Sequence, residues 1–516
     1  MQNEGRTPIE KRLEDNIARL RDRLVFEKNF DLILREIEVG GRRAALLFVD
    51  AFVKDEPLTL ILKEFSRIEP GEITLNTFRK VFYRYVTFGE VKRVDTLEEV
   101  IDTALSGPAV LLIDGETQAV VIDLRQYPAR APDEPDLEKV TRGSRDGFIE
   151  TLVHNTALIR RRIRDPRLRF EHLAAGKRSK TDIVIAYIED IANPDIVDSV
   201  REKIKYINID GLPMAEKSVE ELITPGTYWN PFPRVRYTER PDVAAAHLLD
   251  GHVLVIVDTS PSVIILPATF FHHLQHAEEF RQSPAVGVYM RWARFAGVFL
   301  SIFLTPLWLL AALEPNLLPQ GLKFIGPKEA GAVPLFLQFL LAEVAIDLIR
   351  MATIHTPSPI ATSTGIIAAV LLGDLAAQVG LFIPEVTLYT ATAAIGTFLT
   401  PSFELAQANR LLRLFILVFT GFLRLPGFIL GVVVSFLFLL FTRSFGVPYL
   451  WPLIPFDYKA MGSVLVRPPV AIQRSRPSIL KPLDPDRQPR IAPEPARKPL
   501  DGSRKRGHKC NGPRGQ

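Results

Sequence analysis

Cysteine is nearly missing: Cys510 stands alone in a chain of 516 residues. A single thiol cannot close a disulfide or build a cysteine-based metal site within the chain, which suits a reducing compartment. An apolar leader is missing as well, because MQNEGRTPIEKRLEDNIARLRDRL, residues 1–24, is polar and charged throughout. The N-terminal region is therefore expected on the cytoplasmic side of a membrane. No glycine-rich phosphate loop, nucleophile elbow or two-metal carboxylate cluster occurs at workable spacing. No enzyme is expected, and no cofactor, metal or nucleic-acid partner. Charge, finally, is missing from long runs between Phe295 and Thr442, although the chain carries 63 Lys plus Arg and 59 Asp plus Glu. With 47% hydrophobic residues, apolar and charged chain are segregated, so a soluble region precedes a membrane region.

What is present in the soluble region first looks like a membrane span. HVLVIVDTSPSVIILPATFF, His252 to Phe271, approaches the ~20 apolar residues that a spanning helix needs. Its centre, however, is Asp258, Thr259, Ser260 and Pro261, and such residues make turns: Asp and Ser bond their own backbone, and Pro presets a turn torsion. Two β-branched runs around that turn predict a hairpin. LSGPAVLLIDGETQAVVIDL, Leu105 to Leu124, has the same design, and an ungapped overlay puts Gly107 on Gly251, Val110 on Leu254, Ile113 on Val257 and Asp114 on Asp258. Each hairpin follows a helical pattern, DTLEEVIDTAL or RPDVAAAHLLD, and a strand-like run further upstream, RAALLFVDAFVKDE or TDIVIAYIEDIANPDIV. The expectation is two related α/β subdomains, 30–150 and 151–286, behind a charged helix in 1–29. Asp114 and Asp258 are read as turn formers. His272 and His276 sit one helical turn apart, as on metal-binding helices, but lack a third ligand, so packing is the preferred reading.

The fold class expected is thus an α/β soluble N-terminal region of two related subdomains followed by an α-helical polytopic membrane domain, residues 287–457, of five or six hydrophobic helices. Candidate spans are Phe295–Leu313, Ala332–Ile349, Thr362–Val379, Val386–Thr400 and Leu411–Thr442. The last is too long for one crossing and is interrupted by Arg424, Pro426 and Gly427, which leaves a hairpin or a kinked helix. Arg281, Arg291 and Arg294 before the first span favour an N-inside orientation. The tail 458–516 is basic and Pro-rich; it is expected to be disordered, resisting translocation and either touching anionic lipid headgroups or merely solvated.

Ionisable residues inside the hydrophobic helices carry the most chemistry, since a charge at the bilayer centre costs at least about 2.5–3.5 kcal/mol. Glu343, Asp347 and Arg350 follow at i, i+4 and i+7 on one helix face, and Asp374 lies in the next apolar segment. Thr387, Thr390 and Thr397 form a weakly polar stripe with Ala394. One reading is a path for monovalent cations flanked by Glu343, Asp347, Asp374 and the threonine hydroxyls. The other is structural, with Asp347 paired to Arg350 and small residues for close helix packing. Glu404, Arg410 and Arg413 are further candidates for charge pairing within the membrane domain. Five or six short helices enclose little room, so a conducting path would lie between several copies. A secondary transporter would show matched membrane halves, and none is visible.

Three segments carry a family resemblance: NPFPRVRYTERPDVAAAHLLDGHVLVIVDTSPSVIILP (Asn230–Pro267), PSFELAQANRLLRLF (Pro401–Phe415) and RSFGVPYLWPLIPFD (Arg443–Asp457). Together they resemble the GerA family of spore germination receptor A subunits, over roughly Asp31 to Asp457. FFHHLQHAEEFRQSPAVG (Phe271–Gly287) is most similar to a branch of that family associated with amplifying the response rather than with nutrient detection. The resemblance implies a protein of the endospore inner membrane with its soluble domain and tail facing the spore core. It further implies cyclic homo-oligomers, pentamers in form, that release monovalent cations, together with a small partner membrane protein and other germination receptor subunits. The alternative is a non-conducting sensor or scaffold for germination receptors or for dipicolinic acid release.

Overall fold

The computed structural model describes residues 7–488 apart from 74–75, 88, 128–137, 225, 227, 329–330, 356–378 and 470–471. Two five-stranded sheets make up the soluble half. The first holds β1 (Leu32–Val39), β2 (Arg42–Val49), β3 (Val91–Val94), β4 (Ala109–Ile113) and β5 (Ala119–Ile122) in the order β1-β2-β4-β5-β3. The second holds β6 (Leu168–Ala175), β7 (Thr181–Ile188), β8 (Arg236–Thr238), β9 (Val253–Val257) and β10 (Val263–Leu266) in the order β6-β7-β9-β10-β8. The two orders are the same, and each strand pairing in both sheets is antiparallel. The hairpins expected around Asp114 and Asp258 are β4–β5 and β9–β10. Every residue of β4 and β9 is buried, because helices cover both faces of each sheet. Burial on two faces turns the usual alternation into a continuous apolar run, and for that reason His252–Phe271 imitates a span.

The N-terminal helix is not a separate charged element. In α1 (Leu13–Leu24), Leu13, Ile17, Leu20 and Leu24 recur at helical spacing and all enter the first core. Its counterpart in the second repeat is α2 (Leu152–Arg162). The match extends to hydrogen bonds. Asp114 Oδ1 accepts the Leu13 N–H at 3.0 Å, and Asp258 Oδ1 accepts the Leu152 N–H at 3.1 Å. Asn16, buried, exchanges two bonds with the Glu10 backbone, as Asn155 does with the Ile149 backbone. The hairpin aspartates therefore do more than make a turn: each ties its β-hairpin to the first turn of its repeat's opening helix, where N–H groups lack helical partners. Repeat one consequently starts before residue 30, at α1.

Arg160 joins the repeats. Fully buried, it forks onto Asp31 at 2.8 and 3.1 Å and also donates to the carbonyls of Leu168 and Asp165. A bidentate guanidinium–carboxylate pair is directional as well as strong.

The membrane-type half contains α3 (Pro284–Leu313), α4 (Leu335–His355), α5 (Pro384–Phe398) and α6 (Phe403–Phe441). Of these, α3 and α6 are long and apolar enough to cross a membrane. The expected segment Thr362–Val379 falls almost wholly outside the described residues. At Arg424 (φ 52°, ψ −131°) α6 breaks, and Pro426 follows. A Cβ placed on Gly431 would lie 3.2 Å from Ile416 Cα, whereas a straight helix would separate these residues by about 22 Å. The long segment is thus a hairpin, and the kinked-helix alternative is excluded. Part of the tail is also ordered: Tyr458–Leu465 is helical, Leu480 is buried, and the Arg467 guanidinium donates to the carbonyls of Gln282 and Phe280. Those contacts require specific acceptors, which basic composition alone could not reveal.

Replacing Arg160 by Met should strand Asp31 without its partner and destabilise the soluble domain by about 3–5 kcal/mol. The double variant Arg160→Met/Asp31→Leu should recover much of that loss; calorimetric unfolding of the full chain in detergent checks both.

Candidate functional site

A group of ionisable side chains lies among the membrane-type helices. Glu343 on α4 is fully buried; its Oε2 accepts from Arg413 Nη2 at 2.7 Å and lies 3.6 Å from Arg410 Nε. Both arginines belong to the first limb of α6, three residues apart, hence on one helix face. Arg413 also donates to the Ser301 carbonyl of α3 at 2.7 Å and to the Thr397 hydroxyl of α5 at 3.4 Å, so one guanidinium ties α6 to three other helices. Asp347 pairs with Arg410 and keeps about a quarter of its side chain exposed (28%). Arg350 donates to Gln407 at 2.9 Å. The sequence predicted one charged helix face; the structure adds that the counter-ions for Glu343 and Asp347 come from α6. Glu404 accepts from the Ser402 hydroxyl at 2.9 Å, near the start of α6. Asp374 lies outside the described residues.

The threonine stripe is turned inward. Thr390 and Thr397 are buried on α5, and a Cβ at the neighbouring Gly396 would meet the Gly297 carbonyl of α3 at 2.4 Å. That backbone approach needs the small residues around it. The hydroxyls of Thr387 and Thr390 have no hydrogen-bond partner among the described residues.

Beside this cluster, between the soluble and membrane-type halves, opens a cavity of about 880 Å³. Arg350, Thr397, Glu404 and Gln407 line it from the membrane side, and Arg236 and His276 from the soluble side. The joint next to it is held by Glu279, wholly buried, which pairs with Arg291 at 2.8 Å and with Arg294. Arg291 further donates to the Ser463 and Val464 carbonyls, Arg294 to the Leu274 carbonyl, and Arg281 to Asp242. The arginines that resemble a positive-inside signal are therefore engaged by the protein itself.

His272 and His276 do not act as a pair. His276 Nδ1 accepts the Glu278 N–H at a helix start, while the His272 ring packs 5.0 Å from His252. Burial is the main force holding His252 down to about 4 and His273 down to about 3, and it lowers His247 and His272 as well. These imidazoles are neutral packing groups at neutral pH.

Comparison with known proteins decides the family. Residues 21–479 match the family model described as Bacillus/Clostridium GerA spore germination protein. The chain belongs to the GerA family. Stage V sporulation protein AF of Bacillus subtilis (strain 168) is 46% identical over 469 residues, covering 91% of this chain and 95% of that one. Spore germination protein KA of the same organism is 30% identical over 478 residues, covering 90% and 87%. A crystal structure of the N-terminal domain of the A subunit of the Bacillus megaterium spore germinant receptor GerK3 aligns with 25% identity and a TM-score of 0.40, over 52% of this chain and 98% of that domain. A GerA protein with these relatives has its role in spore germination.

Two outcomes follow from the geometry. Glu343→Gln should leave two buried guanidinium groups facing a neutral amide and destabilise the membrane-type half by about 3–5 kcal/mol, while Asp347→Asn costs much less; thermal unfolding in detergent distinguishes them. The histidines make stability depend on pH. Unfolded imidazoles titrate near pH ~6.5. Between there and the lowered folded values only the unfolded chain binds the protons. The stability is complete above about pH 6.5 and falls on acidification, by up to about 1.4 kcal/mol per pH unit for each imidazole. His252→Gln should flatten that slope by one such increment in a pH series of unfolding scans.

Proposed function

We propose that this GerA protein is a polytopic subunit of an oligomeric cation channel in the endospore inner membrane. It releases monovalent ions and amplifies the germination response. One observation carries the reading: the cluster of Glu343, Asp347, Arg410 and Arg413 maintained among apolar helices beside a cavity that reaches the soluble domain. Charges in such a place serve a conducting path or a lock that controls one. In this reading Arg413 and Arg410 hold Glu343 as the lock, and the less enclosed Asp347, with Asp374, Thr387, Thr390 and Thr397, contributes to the path. The cavity is its vestibule on the side of the soluble domain and the tail, which face the spore core. The path lies between copies, in a ring such as a pentamer, with a small partner membrane protein and other receptor subunits alongside.

The full enclosure of Glu343 favours a second reading, a non-conducting scaffold for germination receptors or for dipicolinic acid release. In that case the cluster serves assembly alone. Liposome cation flux with the purified chain and its small partner separates the two. The channel predicts wild-type flux whose magnitude or cation preference changes in Asp347→Asn at unchanged assembly. Correctly assembled protein that passes no ions would leave the scaffold.

A further inference from the structure

The soluble domain displays two aromatic side chains that its own fold does not cover: Tyr228 is 94% exposed and Trp229 92%. Isolated exposed apolar residues are common, but these two have a fixed position. The adjoining Asn230 donates from Nδ2 to Thr442 Oγ1 at 3.0 Å, and Thr442 directly follows the end of α6. Two residues further on, the Phe232 ring lies 6.2 Å from that of Phe438 in the last turn of α6. Trp229 is thus one residue step, about 3.8 Å along the backbone, from a group at the mouth of the hairpin.

We infer that Tyr228 and Trp229 form an interfacial anchor that inserts at the headgroup–acyl boundary of the bilayer. The inference rests on the membrane reading of α6 given above. Tyr and Trp concentrate at that boundary because an apolar ring body and a polar N–H or O–H suit a region that is half dry and half wet. Phe441, 77% exposed in the final turn of α6, directly precedes the Thr442 that Asn230 holds, so an apolar ring of the hairpin and the two of the loop stand exposed at the same end of α6. Arg443, exposed just beyond the helix, adds a cation at the depth of lipid phosphates. The anchor gives the second repeat a contact with lipid independent of the covalent connection through α3. Movement of the soluble domain relative to the membrane helices would have to withdraw two aromatic rings from the interface.

Spin labelling of the full chain tests this directly. Cys510→Ser removes the one native thiol, and Trp229→Cys then carries a nitroxide in vesicles of phosphatidylglycerol and phosphatidylethanolamine. Collision rates with oxygen, which prefers lipid, and with a water-soluble nickel chelate report depth. Arg67→Cys in the first subdomain supplies the aqueous reference and Phe422→Cys on the hairpin the lipid reference. The expected ratio of oxygen to nickel collisions at 229 lies several-fold above that at 67 and below that at 422. A ratio equal to that at 67 overturns the anchor while leaving the membrane reading intact. Suppression of both collisions overturns it in favour of contact with a neighbouring protein chain. An aqueous label at 422 would overturn the membrane reading and the anchor together. Tyr228→Cys repeats the measurement if the Trp229 variant does not fold.

Discussion

A guanidinium group removed from water must find oxygen acceptors, and the joints of this protein are built on that requirement. Glu279, between Arg291 and Arg294, secures the passage from the second sheet to the first membrane-type helix, and Arg291 reaches on to the carbonyls of the ordered tail. Arg160 on Asp31 locks the two repeats together. Arg413 on Glu343 gathers four helices at one point. Each is a place where separate stretches of chain meet, and in each the penalty of an unpaired charge forces those stretches into one arrangement. Charge pairing here specifies geometry more than it supplies net stability.

Between the joints the energetics are ordinary. Apolar side chains cover both faces of each sheet, and the duplicated strand order means that one packing solution is used twice. The repeats diverge where they meet other parts of the chain. Arg160 has taken on the junction with repeat one, and the loop before β8 carries Tyr228 and Trp229 to the mouth of the hairpin. In the membrane-type half, close backbone approach is added to bulky packing around Trp308, Phe339 and Phe382. The contact between Gly396 and Gly297 brings α5 against α3, and the one between Gly431 and Ile416 closes the hairpin. Such contacts are why glycine stands at Gly396 and Gly431, where the distance between backbones is short.

The sequence by itself determined the division into soluble and membrane-type halves, the two hairpins and the family, because each is written in local composition, turn chemistry or uninterrupted motifs. It located Glu343, Asp347, Arg410 and Arg413 as charges that needed partners. Which carboxylate meets which guanidinium was decided by the tertiary structure, since α4 and α6 are far apart in the chain and helical phase is blind to what packs opposite. The same holds for α1. Its charges are conspicuous in sequence, but its place in the first core depends on Asp114 reaching back to its first turn. Arg424 and Pro426 were visible as an interruption, yet only the approach of Gly431 to Ile416 turned that interruption into a hairpin. Local sequence sets what each segment can bury or must pair; the partner that satisfies it is set by contacts between segments that have no trace in spacing.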